Sequence, residues 1–173
     1  MNDPGPRNNG RVTTTPKLEF ITEESVYGTV LVSGMIVVSR GYGASSWETF
    51  QLVLGTVLVF WIAHVYAGTV AGYHAVEGDE TSLRVAIRRA LRRSVGFLTA
   101  AIPPSIALLL GALEAIPDDL AVWTALWLGV AILAAVGYHV AAARGNSWPV
   151  RLLSSLGTAT LGMAMILLKV FIH

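Results

Sequence analysis

The sequence predicts an all-α protein: a polytopic membrane helix bundle with five transmembrane helices, N-terminus in and C-terminus out, plus a short basic amphipathic helix. Three observations lead there. The 173 residues are 54% hydrophobic and only 13% charged, about half the charge of an ordinary soluble domain. Mean hydropathy is +0.61, and the apolar residues fall in long runs rather than short alternating ones. The remaining charges gather in the tail and between those runs. Such a chain has too little polar surface for a soluble enzyme, a nucleic-acid binder or a disordered protein. It contains no cysteine, which excludes a disulfide framework, a thiolate zinc site and a cysteine nucleophile.

Residues 1–20 read as a cytoplasmic tail, disordered to about Thr15 because Pro, Asn, Gly and Thr dominate it. No apolar stretch directly follows its charges, so it is not a signal peptide. Residues 21–173 read as the membrane domain. Crossing roughly 30 Å of hydrocarbon takes about 20 apolar residues, and five stretches approach or meet that. The first, 23–39, is the shortest. It opens on Glu23 and Glu24 and is closed by Arg40 and the turn-forming Gly41-Tyr42-Gly43; an interfacial or re-entrant segment is the alternative for it. The second, 47–75, is the longest uncharged run beyond Glu48.

The third span, 94–116, contains Pro103-Pro104. Two consecutive prolines remove two backbone donors, so a kink or break is expected there. It is read either as packing or as the broken helix of a substrate site. The fourth span covers 119–143. The fifth covers 149–172, with Ser147 as N-cap and Pro149 near its first position.

Residues 80–93 stand between the second and third spans. On a helix, Leu83, Ala86, Ile87, Ala90 and Leu91 share one face, while Arg84, Arg88, Arg89, Arg92 and Arg93 lie mostly on the other. Asp79, Glu80 and Thr81 suit its N-terminus. The expectation is a helix lying on anionic inner-leaflet lipids, acting as a topology anchor or as a lipid or protein contact. The positive-inside rule then orients the bundle. Ten basic residues fall on the inner side: Arg7, Arg11, Lys17, these five arginines, Arg144 and Arg151. Only Arg40 and Lys169 fall outside. Trp47, Trp123 and Trp127 near the outer interface, and Tyr138 and Trp148 near the inner one, agree. Glu114, Asp118 and Asp119 are expected to cap the fourth span.

Small residues mark helix contacts: Gly68 and Gly72 in the second span, Ala121, Ala125 and Gly129 in the fourth, Gly157 and Gly162 in the fifth. Whether they join helices of one chain or of several copies is left open, as is membership of a membrane complex. Ionisable groups inside a membrane are functional candidates by default. Glu24, Tyr27, His64, Tyr66 and His139 converge on the inner half, with Thr69, His74, Ser94, Thr99 and Tyr138 nearby. They supply the ingredients of a proton or ion relay. No metal-ligand spacing such as HxxH or HExxH occurs, and His74 with Glu77 reads as a simple surface pair. Neither a GxSxG motif nor a P-loop is present, so no catalytic residue, metal or cofactor is assigned.

The runs VYGTVLVSGMIVVS (Val26–Ser39) and FWIAHVYAGTV (Phe60–Val70) resemble small uncharacterised integral membrane proteins of actinobacteria, the FWxAHxYA piece most distinctively. The resemblance covers under a third of the chain. It implies a multi-pass protein of the bacterial cytoplasmic membrane and brings no activity. The five-span vacuolar-type iron transporters share the helix count, but their acid-rich metal-binding segment is missing here. Two functions follow as expectations: a non-enzymatic membrane component or subunit, or a proton-coupled or divalent-metal transporter or channel using His64 and its polar neighbours.

Overall fold

A computed structural model of the chain describes residues 19–74 and 80–172, and the side-chain surroundings of 23–72 and 83–171. The described residues form five helices: α1 (Glu19–Gly41), α2 (Ser46–His74), α3 (Glu80–Ala112), α4 (Asp118–Ala143) and α5 (Trp148–Ile172). The tail before residue 19, the Asp79–Thr81 cap and the side chains of His74 and Glu77 lie outside what is described. Four of the helices, α2 to α5, are long and apolar enough to cross a membrane.

The helix ends follow local chemistry. Ser45 and Glu48 form a capping box at the start of α2: the Ser45 N–H donates to Glu48 Oε2 (2.8 Å), and the Glu48 N–H donates to Ser45 Oγ (3.3 Å). The Arg151 N–H reaches the Ser147 carbonyl (3.1 Å) as α5 begins, the position expected of a cap. Three helices close in the same way, with paired backbone bonds around one left-handed residue. After α1 the bonds are Gly43 N–H to Arg40 and Ala44 N–H to Ser39. After α4 they are Gly145 N–H to Ala142 and Asn146 N–H to Ala141. Gly43 and Gly145 carry positive φ there, as suits glycine. After α3 the left-handed position is held by Glu114 (φ 58°), with Glu114 N–H to Gly111 and Ala115 N–H to Leu110.

Two hairpins, α2–α3 and α4–α5, flank α1, which packs against all four other helices. That position explains the mixed composition of α1. Its buried face alternates Ser25, Thr29 and Ser33 with Val32, Ile36 and Val37. A helix packed among others needs shape and hydrogen bonding more than an apolar exterior, and α1 alone of the five lacks a long apolar window. The core joins those α1 residues to Val53 and Val57 of α2, Phe97, Ala101 and Leu108 of α3, and Val122, Ala125 and Leu126 of α4. The outside is the inverse of a soluble protein. Leu58, Val59, Phe60 and Ile62 of α2, and Leu153, Leu156, Leu167 and Phe171 of α5, are exposed.

Two expectations are corrected. The basic stretch is not a separate surface helix, because residues 80–93 are the first turns of one continuous α3 that ends at Ala112 rather than Ile116. Its Ala86 and Ala90 bury against Gly72 and Gly68 of α2. That packing along α2 keeps the stretch in line with the span instead of laying it flat. The break at Pro103-Pro104 is also absent: α3 stays helical through both. Pro104 is fully buried in the core, where surrounding packing offsets the two lost donors. The Thr99 hydroxyl turns back to the Gly96 carbonyl (3.0 Å) and does not serve the freed carbonyls.

Candidate functional site

The polar groups of the α1 N-terminal end meet at one node. Counted at 1.5 Å per residue from the opposite ends of their helices, Glu24 stands about 26 Å along α1, His64 about 27 Å along α2 and Arg93 about 28 Å along α3. Helices of similar height packed side by side therefore bring the three to one level. Glu24 Oε1 lies 3.4 Å from His64 Nε2, longer than the usual ~2.9–3.0 Å of an N–H···O bond. Arg93 is close enough to act on the carboxylate electrostatically. The Glu24 side chain is 9% exposed and that of His64 47%, so the acid sits inside and the imidazole at the rim. Glu24 Oε2 is buried and has no hydrogen-bond partner among the described residues.

The node is tied to α3 from below. The Ser25 hydroxyl donates to the Gly96 carbonyl (3.2 Å), and Gly28 lies against the Phe97 backbone, where a Cβ would come within 3.0 Å of its carbonyl oxygen. Phe97 in turn stacks on Phe60 of α2 at 6.5 Å. A buried carboxylate is costly unless charge or hydrogen bonds compensate it. At Glu24 that compensation is one-sided: Oε1 faces His64, Arg93 acts on the carboxylate from nearby, and Oε2 has no partner among the described residues. A carboxylate facing an imidazole suits a proton. A cation such as zinc takes three or four protein ligands, and no group of three metal-ligating side chains occurs among the described residues.

The other expected relay residues do not join the node. Tyr27 and Tyr66 are 65% and 71% exposed. His139 is exposed on α4, edge-on to Tyr138. Thr69 and Ser94 bond back to the carbonyls of Val65 and Ala90, four residues earlier in their own helices. Of the expected relay residues, only Glu24 and His64 come into contact.

A second charged node, at the opposite end, was not read from the sequence. Arg40 Nη2 donates to Asp119 Oδ1 (2.6 Å) and Nη1 to the Ala44 carbonyl (2.7 Å). Lys169 of α5 is buried, with its ammonium 3.8 Å from the ring centroid of Trp123 on α4. Asp118 accepts from the Ser46 N–H (3.4 Å). Asp118 and Asp119 stand in the first turn of α4, as expected, but reach other helices rather than cap their own: the N-cap is Pro117, with no side-chain cap bond. The available signal was the pairing of scarce charges. Among the described residues, Arg40 and Lys169 are the only bases at this end of the bundle, and each needs a partner in an apolar setting.

No protein-family model matches the chain, and no curated protein or solved structure is similar to it. Function therefore rests on the residues themselves.

Proposed function

We propose that this chain is a five-span integral membrane protein, N-terminus in and C-terminus out, and that it serves as a non-enzymatic component of the bacterial cytoplasmic membrane. The observation that carries this is the inside-out distribution of residue types. Large apolar side chains cover α2 and α5, while alanines, glycines and hydroxyl residues fill the spaces between helices. The fifth span is α1. Its 23 residues reach about 33 Å end to end, and Glu24, Ser25, Thr29, Ser33 and Ser39 are buried among the four apolar helices. The loop charges supply the orientation, and the actinobacterial resemblance supports the location.

The natural absence of cysteine makes the topology directly testable. Single-cysteine variants Tyr42→Cys, Ala115→Cys and Asn146→Cys are treated with a membrane-impermeant maleimide on intact cells. The first two react and the third reacts only after lysis. The reverse pattern would overturn the orientation, and labelling of all three in intact cells would overturn the span count.

A second reading, proton-linked transport, is favoured by one contact, the Glu24–His64 pair. It predicts that proteoliposomes holding the wild type dissipate an imposed pH gradient, and that Glu24→Gln and His64→Gln abolish this. Equal rates for the wild type and both variants would leave only the component reading.

A further inference from the structure

The arginines of α3 stand on a firmer base than a flexible loop would give them. Two-helix packing at Gly68 against Ala90 and Gly72 against Ala86 continues past the Glu24–His64 node, so this part of α3 is held in place by α2. Counting about 20 residues of hydrocarbon thickness back from Ala112 reaches Arg92. Arg88 and Arg89 then lie one turn further, about 5–6 Å out, where the headgroups begin. Arg84 lies about 12 Å out. All four are exposed, and none has a carboxylate partner among the described residues. Arg88 and Arg92 are four apart and share a face, with Arg89 beside them. Val95, also exposed, lies on the same face about one turn inward of Arg92, on the side toward the acyl chains. Arg93 is set apart by its proximity to Glu24.

We propose that Arg88, Arg89 and Arg92 form a binding surface for the phosphodiester headgroups of anionic phospholipids. The inference rests on α3 crossing the bilayer. A guanidinium presents a planar fork that matches phosphate oxygens in bidentate fashion. Three such groups on a braced helix, with no carboxylate partner among the described residues, place that fork at headgroup depth. The neighbouring Val95 receives the upper part of the acyl chain. This is charge complementarity at a fixed height, so the contribution of each arginine depends on its distance from the phosphate plane. Arg84 lies beyond that plane and contributes least.

The test uses the full chain in phosphatidylcholine liposomes carrying spin-labelled phosphatidylglycerol or spin-labelled phosphatidylcholine. Flotation first establishes insertion. Failure to insert would overturn the membrane reading and this one with it. With insertion shown, electron spin resonance gives the relative association of the two lipids with the protein. The wild type prefers phosphatidylglycerol, by up to about fivefold for each arginine engaged, and the preference weakens as salt rises. The R88Q/R89Q/R92Q variant loses it, whereas R84Q and R144Q retain most of it. Absence of preference in the inserted wild type would overturn the proposal, as would retention in the triple variant or equal loss in R144Q. Arginine-dependent capture of a soluble acidic peptide, without lipid preference, would overturn it in favour of a protein partner.

Discussion

The two hairpins that flank α1 are built on small-residue stripes of similar appearance, yet they pack in different ways. In α2–α3 the contact is apolar and side chain to glycine, with room for a methyl group at Gly72 and less at Gly68. A Cβ placed on Gly72 would meet the Ala86 Cβ at 3.4 Å, and one on Gly68 would meet the Ala90 Cβ at 3.2 Å. In α4–α5 the contact is polar and closed. A Cβ on Gly137 would collide with the Thr158 hydroxyl and the Ser154 carbonyl, and one on Gly162 would lie 2.9 Å from the Val130 backbone. Hydroxyls then staple that interface. Thr158 Oγ1 donates to the Leu133 carbonyl (2.7 Å) and Ser155 Oγ to the Ala134 carbonyl (2.8 Å). A stripe of glycine and alanine can therefore mean tolerance or exclusion, and the difference lies in what the opposite helix presents.

The largest effect that separates the hairpins is steric. Gly137→Ala puts a methyl group where α5 backbone already stands, and backbone cannot yield as a flexible side chain does. The two helices must move apart, breaking the Thr158 and Ser155 bonds as they do. A loss of about 1–3 kcal/mol is expected, read as a shift of the unfolding equilibrium in detergent micelles titrated with a denaturing detergent. A loss as small as that of Gly68→Ala would end the distinction between the hairpins.

Next comes the staple itself. Thr158→Val keeps the shape of the side chain and removes its single hydroxyl proton. That proton has three carbonyls within reach, those of Leu133, Ser154 and Ser155, but only Leu133 lies across the interface. Interhelical hydrogen bonds in membranes average about 0.6 kcal/mol and reach about 1.7, so the expected loss lies in that range. If the change is neutral, the closed character of α4–α5 comes from packing alone.

Much of this was legible in the sequence, for physical reasons that also explain the misses. The helices expected over 47–75, 119–143 and 149–172 agree with α2, α4 and α5 within one residue at each end, because apolar runs flanked by Ser45-x-x-Glu48, Pro117-Asp118 and Ser147 leave few alternatives. The end of α3 was placed four residues late because its left-handed closing residue is Glu114, where a glycine would have marked the stop. The start of α3 was misread because amphipathicity reports a helix with two faces and not what covers either. Ala86 and Ala90 looked like part of a lipid-facing stripe, and they face Gly72 and Gly68. For the site, equal heights along antiparallel helices put Glu24 and His64 at one level, among several other polar residues. Tyr27, Tyr66 and His139 share that depth but not the rotational setting, which depends on packing angles that no local pattern encodes. Arg40–Asp119 joins residues 79 apart, and only the arrangement of α1 beside α4 makes the pair.

The smallest effect runs the other way and tests the open hairpin. Gly72→Ala adds a methyl group at ordinary van der Waals distance from Ala86, so packing neither forbids it nor gains much from it. Alanine also removes part of the backbone freedom that glycine loses on folding. In a helix interior that difference is up to about 1 kcal/mol in favour of alanine in water, and smaller where lipid already enforces helix. The variant should therefore be neutral to slightly more stable by the same unfolding titration, in direct contrast to Gly137→Ala. A clear loss of stability would mean that α2 and α3 need closer contact than their resting geometry shows. Gly68 and Gly72 would then hold the arginine-bearing turns of α3 in place as strictly as Gly137 holds α5.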